Sequence, residues 1–147
     1  MILDQYELKF KKLDPDAIMP TKATEEAAGM DLYSTVDAII APGHSAMISS
    51  GLGVEIPKGF FGAIYARSGL STREGIRPSN CVGIIDSDYR GPIGLPLYND
   101  SDKLYRVLKG DRVAQLIVQP YLNCVPVEVD ALRKTERGAN GFGSSGK

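Results

Sequence analysis

The sequence predicts an all-β domain, a barrel or sandwich of short strands. Three observations carry that expectation. Short apolar or alternating runs recur along the chain, glycine- and proline-bearing turn signals separate them, and no apolar periodicity lasts longer than a turn or two of helix.

Taken in order, Tyr6 to Lys11 alternates apolar and polar residues as a half-buried strand does, and Gly29-Met30-Asp31-Leu32-Tyr33-Ser34 leads from small residues into a strand-like piece. Ala46 to Ile48, Leu52 to Ile56, Phe60 to Tyr65, Ile93 to Tyr98, Val113 to Val118 and Val125 to Val129 read as further strands. Val82, Ile84 and Ile85 form a short one that ends in Asp86-Ser87-Asp88 and Gly91, residues that favour turns. Lys103 to Leu108 alternates for most of its length. Turns are predicted at Ala41-Pro42-Gly43, Pro57-Lys58-Gly59, Asn99 to Asp102 and Lys109-Gly110-Asp111. Only Thr24 to Ala28 and Leu70 to Glu74 could hold a turn or two of helix. The glycine-rich end from Arg137 to Lys147 cannot pack a core by itself.

At 147 residues the chain has the length of one domain, and a domain of that size buries roughly two-thirds of its unfolded surface. Its 17 basic and 18 acidic residues give a net charge of −1, with no block of like charge, so no sequence-independent nucleic-acid or membrane footprint is present. Met1 to Gln5 lacks a charged-then-apolar signal pattern, and no apolar run approaches the roughly 20 residues needed to span a bilayer. A soluble intracellular protein is expected. Cys81, Cys124 and the single His44 are too few for a disulfide framework or a zinc cluster, so a metal would be held by oxygen.

The chemistry is sought where polar residues interrupt this pattern. Asn80 to Gly91 delivers an amide, two carboxylates, an aromatic ring and a guanidinium to one strand end. Gln115 stands in an apolar strand, where an unpaired amide would cost about 1–3 kcal/mol; it is either a core glutamine bonded to backbone or a ligand-reading amide. Arg67-Ser68-Gly69 is either a phosphate-binding loop or a solvated strand-to-helix turn. Asp31 alone reads as a turn carboxylate. Phe142, between Gly141 and Gly143, is suited to stacking on a planar ligand, with Arg137, Ser144 and Ser145 as phosphate partners; the competing reading is a disordered terminus.

Five blocks in order then resemble the homotrimeric dUTPase family: Ala28-Gly29-Met30-Asp31-Leu32; Ala66-Arg67-Ser68-Gly69-Leu70; Gly83-Ile84-Ile85-Asp86-Ser87-Asp88-Tyr89-Arg90-Gly91; Gly110-Asp111-Arg112-Val113-Ala114-Gln115-Leu116; and Arg137-Gly138 through Gly141-Phe142-Gly143-Ser144-Ser145-Gly146. The resemblance implies a distorted jelly-roll β-barrel over residues 1–135, a flexible arm over 136–147 that closes the active site, and three chains with sites between subunits. It implies Mg²⁺-dependent hydrolysis of dUTP to dUMP and pyrophosphate, which limits uracil in DNA and supplies dUMP for thymidylate. The expected location is the cytoplasm, or the nucleus for a eukaryotic or viral source.

By the same resemblance, Asp86 is the general base for water attacking the α-phosphorus, and Tyr89 packs under the deoxyribose. Asn80, with groups at Gly83 and Ile85, reads uracil. Arg67, Ser68, Gly69 and Gln115 serve the phosphates, so the resemblance favours the ligand reading of Gln115. Asp31 meets Mg²⁺ through water while the substrate phosphates hold the metal. Arg137, Phe142, Gly143 and Ser144 belong to the closing arm, with Phe142 over the base.

Ala66 stands where the family usually has proline and Ser145 where threonine is common; neither change removes a functional group. Asp88 and Arg90 are expected to be a salt-bridged or turn-stabilising pair, His44 an exposed residue, and Glu25 and Glu26 a solvated face. The related dCTP deaminases need a glutamate on the strand after the Ile-Asp segment. Here Pro96 falls at that place, which argues against deamination. A non-catalytic member of the same fold would have no use for Asn80, Asp86, Tyr89 and the complete tail together.

Overall fold

The computed structural model describes residues 5–144 and Gly146. Among these described residues, eleven strands and one short helix run in the order β1 (Lys9–Lys12), β2 (Met30–Tyr33), β3 (Ala38–Ile40), β4 (Ser45–Ser49), β5 (Leu52–Glu55), β6 (Phe60–Tyr65), α1 (Ser68–Glu74), β7 (Ile76–Pro78), β8 (Gly83–Ile85), β9 (Gly94–Asn99), β10 (Tyr105–Val107) and β11 (Arg112–Pro120). All pairings are antiparallel. A four-stranded sheet, β2-β11-β6-β8, faces a three-stranded sheet, β4-β9-β7, and the pairs β1-β5 and β10-β3 fill out the jelly-roll-like architecture.

Side-chain alternation builds the core between the two larger sheets. On β9, Leu95, Leu97 and Asn99 point inward, while Gly94, Pro96 and Tyr98 are more exposed. Leu32, Ile64 and Leu116 of one sheet and Ile48, Ile76, Leu95 and Leu97 of the other are all buried in a single cluster. Burying a side chain of this size stabilises the fold by about 1.5–3 kcal/mol. Asn99 is a polar exception within that core. Its Nδ2 donates to the carbonyls of Ile40 and Lys103 at 2.8 and 2.7 Å, and its Oδ1 accepts from Ser101 N and Oγ at 3.0 and 2.7 Å, so the buried amide is fully partnered.

Most sequence-based elements are present, and the differences have local causes. The strand expected over Tyr6–Lys11 is Lys9–Lys12, paired with β5, and that expected over Lys103–Leu108 is Tyr105–Val107, paired with β3. β3 and β7 were not expected; each is only three residues long, too short for alternation to register. Thr24 to Ala28 is a turn closed by Ala27 N donating to Thr24 O at 3.1 Å, rather than helix. Val125 to Val129 is not a strand. Its alternating valines are exposed and its backbone has no partner strand among the described residues, without which a strand is not stable. Every described residue from Tyr121 to Ser144 is exposed. No helix among the described residues is long and apolar enough to cross a membrane.

Candidate active site

The candidate residues collect at two places on the four-stranded sheet. At one edge, β2 carries Asp31, whose register partner on β11 is Gln115, which in turn faces Tyr65 on β6. Asp31 is almost buried, and its Oδ1 accepts from Arg67 Nε at 2.9 Å while Oδ2 lies 3.5 Å from Arg112 Nη1. Arg67 Nη1 also donates to the carbonyl of Arg112 at 3.2 Å. A register shift between Arg112 and Ala114 accompanies that arrangement. Arg112 was absent from the sequence-based candidates; it stands in the fourth motif block, at the start of β11, the strand that pairs with that of Asp31.

Gln115 is bonded to backbone, as the core-glutamine reading expects. Its Nε2 donates to the backbone carbonyl of Ala66 at 2.8 Å, which anchors the amide to the loop before α1. Its Oε1 lies over Gly29, where an added β-carbon would be 2.0 Å away. Gly29 therefore leaves the space that the amide fills. Arg67, Ser68, Gly69, Asp31 and Gln115 line one cavity of about 330 Å³. α1 ends at Gly75, whose left-handed φ of 69° lets its N–H reach the carbonyls of Leu70 and Ser71.

At the other edge, β7 passes to β8 through the turn Ser79 to Val82. Val82 N donates to Asn80 O at 2.7 Å, and Cys81 adopts a φ of 64°, a left-handed conformation that costs a non-glycine residue about 1–2 kcal/mol. The Asn80 amide lies against Gly83, its Nδ2 3.3 Å from where a β-carbon would stand. Asp86 follows β8 and is exposed, and Tyr89 N donates to its carbonyl at 3.1 Å. The Tyr89 ring covers Gly91, where a β-carbon would meet its hydroxyl oxygen at 2.5 Å, and its hydroxyl donates to Pro92 O at 2.9 Å.

Arg90 is a turn-stabilising residue without Asp88. Its Nη1 donates to the carbonyls of Ser87 and Tyr89 at 2.7 and 3.1 Å, and no Asp88–Arg90 ion pair exists among the described residues. His44, Glu25 and Glu26 are exposed.

Asp86 and the Arg67–Gln115 group do not share a cavity in one chain. Asp86 lines a separate one of about 620 Å³ with Glu55, Lys58 and Asp88. The sheet registers explain the separation. From Asp31 to Ile85 there are three interstrand steps of roughly 4.8 Å and a displacement of three residues along β11, which together make about 17 Å.

In the tail, Phe142 is fully exposed, Arg137 Nε donates to Asn140 O at 2.8 Å, and Ser144 N donates to Gly141 O at 3.2 Å. Gly143 has a φ of 88°. These residues touch neither cavity. The Ser145 hydroxyl and the first four residues lie outside the described residues.

The dUTPase family model matches residues 15–146, which takes in all five blocks. The chain belongs to the dUTPase family. Among curated relatives, it is 46% identical over 140 residues to the deoxyuridine 5'-triphosphate nucleotidohydrolase of Nautilia profundicola, covering 95% of this chain and 99% of that one. It is 42% identical over 145 residues to the enzyme of the same name from Clostridium tetani, covering 99% and 100%. Among solved structures, a variant of the Staphylococcus bacteriophage 80alpha dUTPase with dUpNHpp superposes with a TM-score of 0.89 at 29% identity, covering 97% of this chain and 100% of that one. As a dUTPase-family fold, the chain places the family's second and fourth blocks in the Arg67–Gln115 cavity and its third block at the opposite sheet edge.

Fitness for Mg²⁺ follows from the donor set. Among the described residues no three His, Cys, Asp or Glu side chains converge. Both oxygens of Asp31 already face guanidinium groups. Each oxygen keeps a lone pair that could accept from a metal-bound water, but the surrounding positive charge opposes direct ligation. The residues fit a phosphate-held Mg²⁺ that meets Asp31 through water.

Proposed function

We propose that this chain is a dUTP diphosphatase that releases dUMP and pyrophosphate, and that its active sites form between chains of a homotrimer. The family match along nearly the whole chain supports the activity. One observation carries the shared site: Asp86 and the Arg67–Gln115 group line separate cavities at opposite edges of the sheet, about 17 Å apart between the Asp31 and Ile85 positions by ideal strand spacing. A general base must lie within hydrogen-bond reach of the water it activates, directly or through one further water. Asp86 of one chain is too far from its own Arg67–Ser68–Gln115 cavity to serve a phosphate chain held there. A neighbouring chain closes that distance. Leu122, Val125 and Val127, each more than three-quarters exposed, supply apolar surface for such an assembly.

In this reading Asp86 accepts a proton from water as the new oxygen–phosphorus bond forms at the α-phosphorus and the bond to the bridging oxygen of pyrophosphate breaks. Positioned base catalysis contributes about 10²–10⁴ in rate. Bound Mg²⁺, held largely by the triphosphate and reached by Asp31 through water, would neutralise charge on the leaving pyrophosphate. Arg67, Ser68, Gly69 and Gln115 hold the phosphates. Asn80, with backbone groups at Gly83 and Ile85, reads the polar edge of uracil, and cytosine would leave those groups unpaired. Tyr89, braced on Gly91 and bonded to Pro92, presents a fixed ring to the deoxyribose. The arm 136–147 closes the site, with Phe142 over the base and Arg137, Gly143 and Ser144 toward the phosphates, and excludes water. Cellular dUTP falls and dUMP is supplied as a consequence.

Pyrophosphate release from dUTP, dCTP, dTTP and UTP tests the substrate assignment. Strong preference for dUTP is expected. Equal turnover of dUTP and dCTP would sink it.

A further inference from the structure

Besides Arg67, the Arg67–Gln115 cavity is lined by a second guanidinium, that of Arg73, to which the motif blocks give no role. Arg73 lies on α1 four residues after Gly69, so both occupy the same helix face. Its Nη2 stands 2.9 Å from where a β-carbon on Gly69 would be, and Nη1 and Cζ lie within 4 Å of the same point. The absence of a side chain at Gly69 lets the guanidinium fold back over the start of the helix. From there it lines the same cavity as Ser68, Asp31 and Gln115.

Charge separates Arg73 from its neighbours. Arg67 and Arg112 both point at Asp31, one carboxylate between two cations. Arg73 forms no ion pair and makes no side-chain hydrogen bond among the described residues. Two lining guanidiniums against one carboxylate, which Arg112 also approaches from outside the lining, leave the cavity with excess positive charge, and the unmatched share sits on Arg73. Its five N–H donors are free to take phosphate oxygens, for which a planar guanidinium is well suited.

We propose that Arg73 is a further substrate-binding residue, which recognises the charge of the polyphosphate chain and separates nucleoside triphosphate from monophosphate. The proposal rests on the dUTPase reading of this cavity and adds a residue to it. Gly69 gains a second task, since any side chain there would push the guanidinium away from the cavity.

The test is calorimetric titration of the wild-type protein, Arg73→Gln and Arg73→Lys with dUMP and with a non-hydrolysable imido analogue of dUTP, each in the presence of Mg²⁺. Arg73→Gln is expected to weaken analogue binding about tenfold, or about 1.4 kcal/mol, with dUMP affinity changed less than about twofold and Arg73→Lys falling between wild type and Arg73→Gln. Because Arg73 is exposed and unpaired, the thermal midpoint should not move. Analogue binding by Arg73→Gln within about twofold of wild type would overturn the proposal, and so would an equal loss for dUMP. If the wild-type protein bound neither uracil nucleotide, the dUTPase reading itself would fail, a result distinct from either.

Discussion

Arg67 Nε donates to Asp31 Oδ1 at 2.9 Å, and this contact ties the residue before α1 to the edge strand β2. The Asp31 side chain is 13% exposed and the Arg67 side chain 29%, so the pair is screened less than a surface ion pair. A second cation, Arg112, shares the carboxylate. Asp31→Ala removes the carboxylate that holds both, and the expected cost is about 1–3 kcal/mol of stability. Urea unfolding monitored by circular dichroism measures it. Asp31→Ala should also raise KM for dUTP, because Arg67 would no longer be held at the cavity wall. An unchanged unfolding midpoint would show that the contact contributes nothing net.

Gly29→Ala isolates the placement of Gln115. A β-carbon at position 29 would meet Gln115 Oε1 at 2.0 Å, and the clash is relieved by swinging the flexible amide away. A loss of dUTP turnover of about tenfold or more is expected, as for other misplaced binding groups, with a much smaller change in thermal midpoint. Full activity in Gly29→Ala would remove Gln115 from the phosphate site.

Asn99 offers a contrast outside the active site. Asn99→Ala strips the buried amide's hydrogen bonds from the carbonyls of Ile40 and Lys103 and from Ser101, and leaving a buried group such as the Ile40 carbonyl without that partner costs about 1–3 kcal/mol. The expected result is a strongly lowered unfolding midpoint with unchanged KM in whatever fraction remains folded.

Truncation before Gly141 removes Phe142, which is fully exposed and touches no core residue. Dichroism spectrum and thermal midpoint should be retained while kcat for dUTP falls. Failure of the truncated chain to assemble would make the arm structural instead.

What the sequence revealed depended on whether a residue's partner lay in the same pattern. Alternation on β9 and the continuous apolar run of β11 identified those strands because each element's own residues record which face is buried. The same alternation misled at Val125, Val127 and Val129, since a strand also needs a neighbour and the described residues provide none there. Three-residue strands such as Ile76–Pro78 carry too little pattern to be seen. At the site, Gln115 was conspicuous as an amide among aliphatics. Arg112 and Arg73 were not, because an arginine is ordinary at a strand start or on a short helix. Only the approach to Asp31 and the gap over Gly69 give them meaning.

The central claim is that Asp86 and the Ser68 cavity serve one substrate from different chains. Subunit mixing tests it most directly: Asp86→Asn and Ser68→Asp, each expected to be inactive alone, are unfolded together in equal amounts, refolded and assayed for dUTP hydrolysis. If sites are shared between chains of a closed ring, random assembly joins an intact base to an intact phosphate cavity in about one site in four, and about a quarter of the wild-type rate should return. A mixture as inactive as its two components would contradict the shared site.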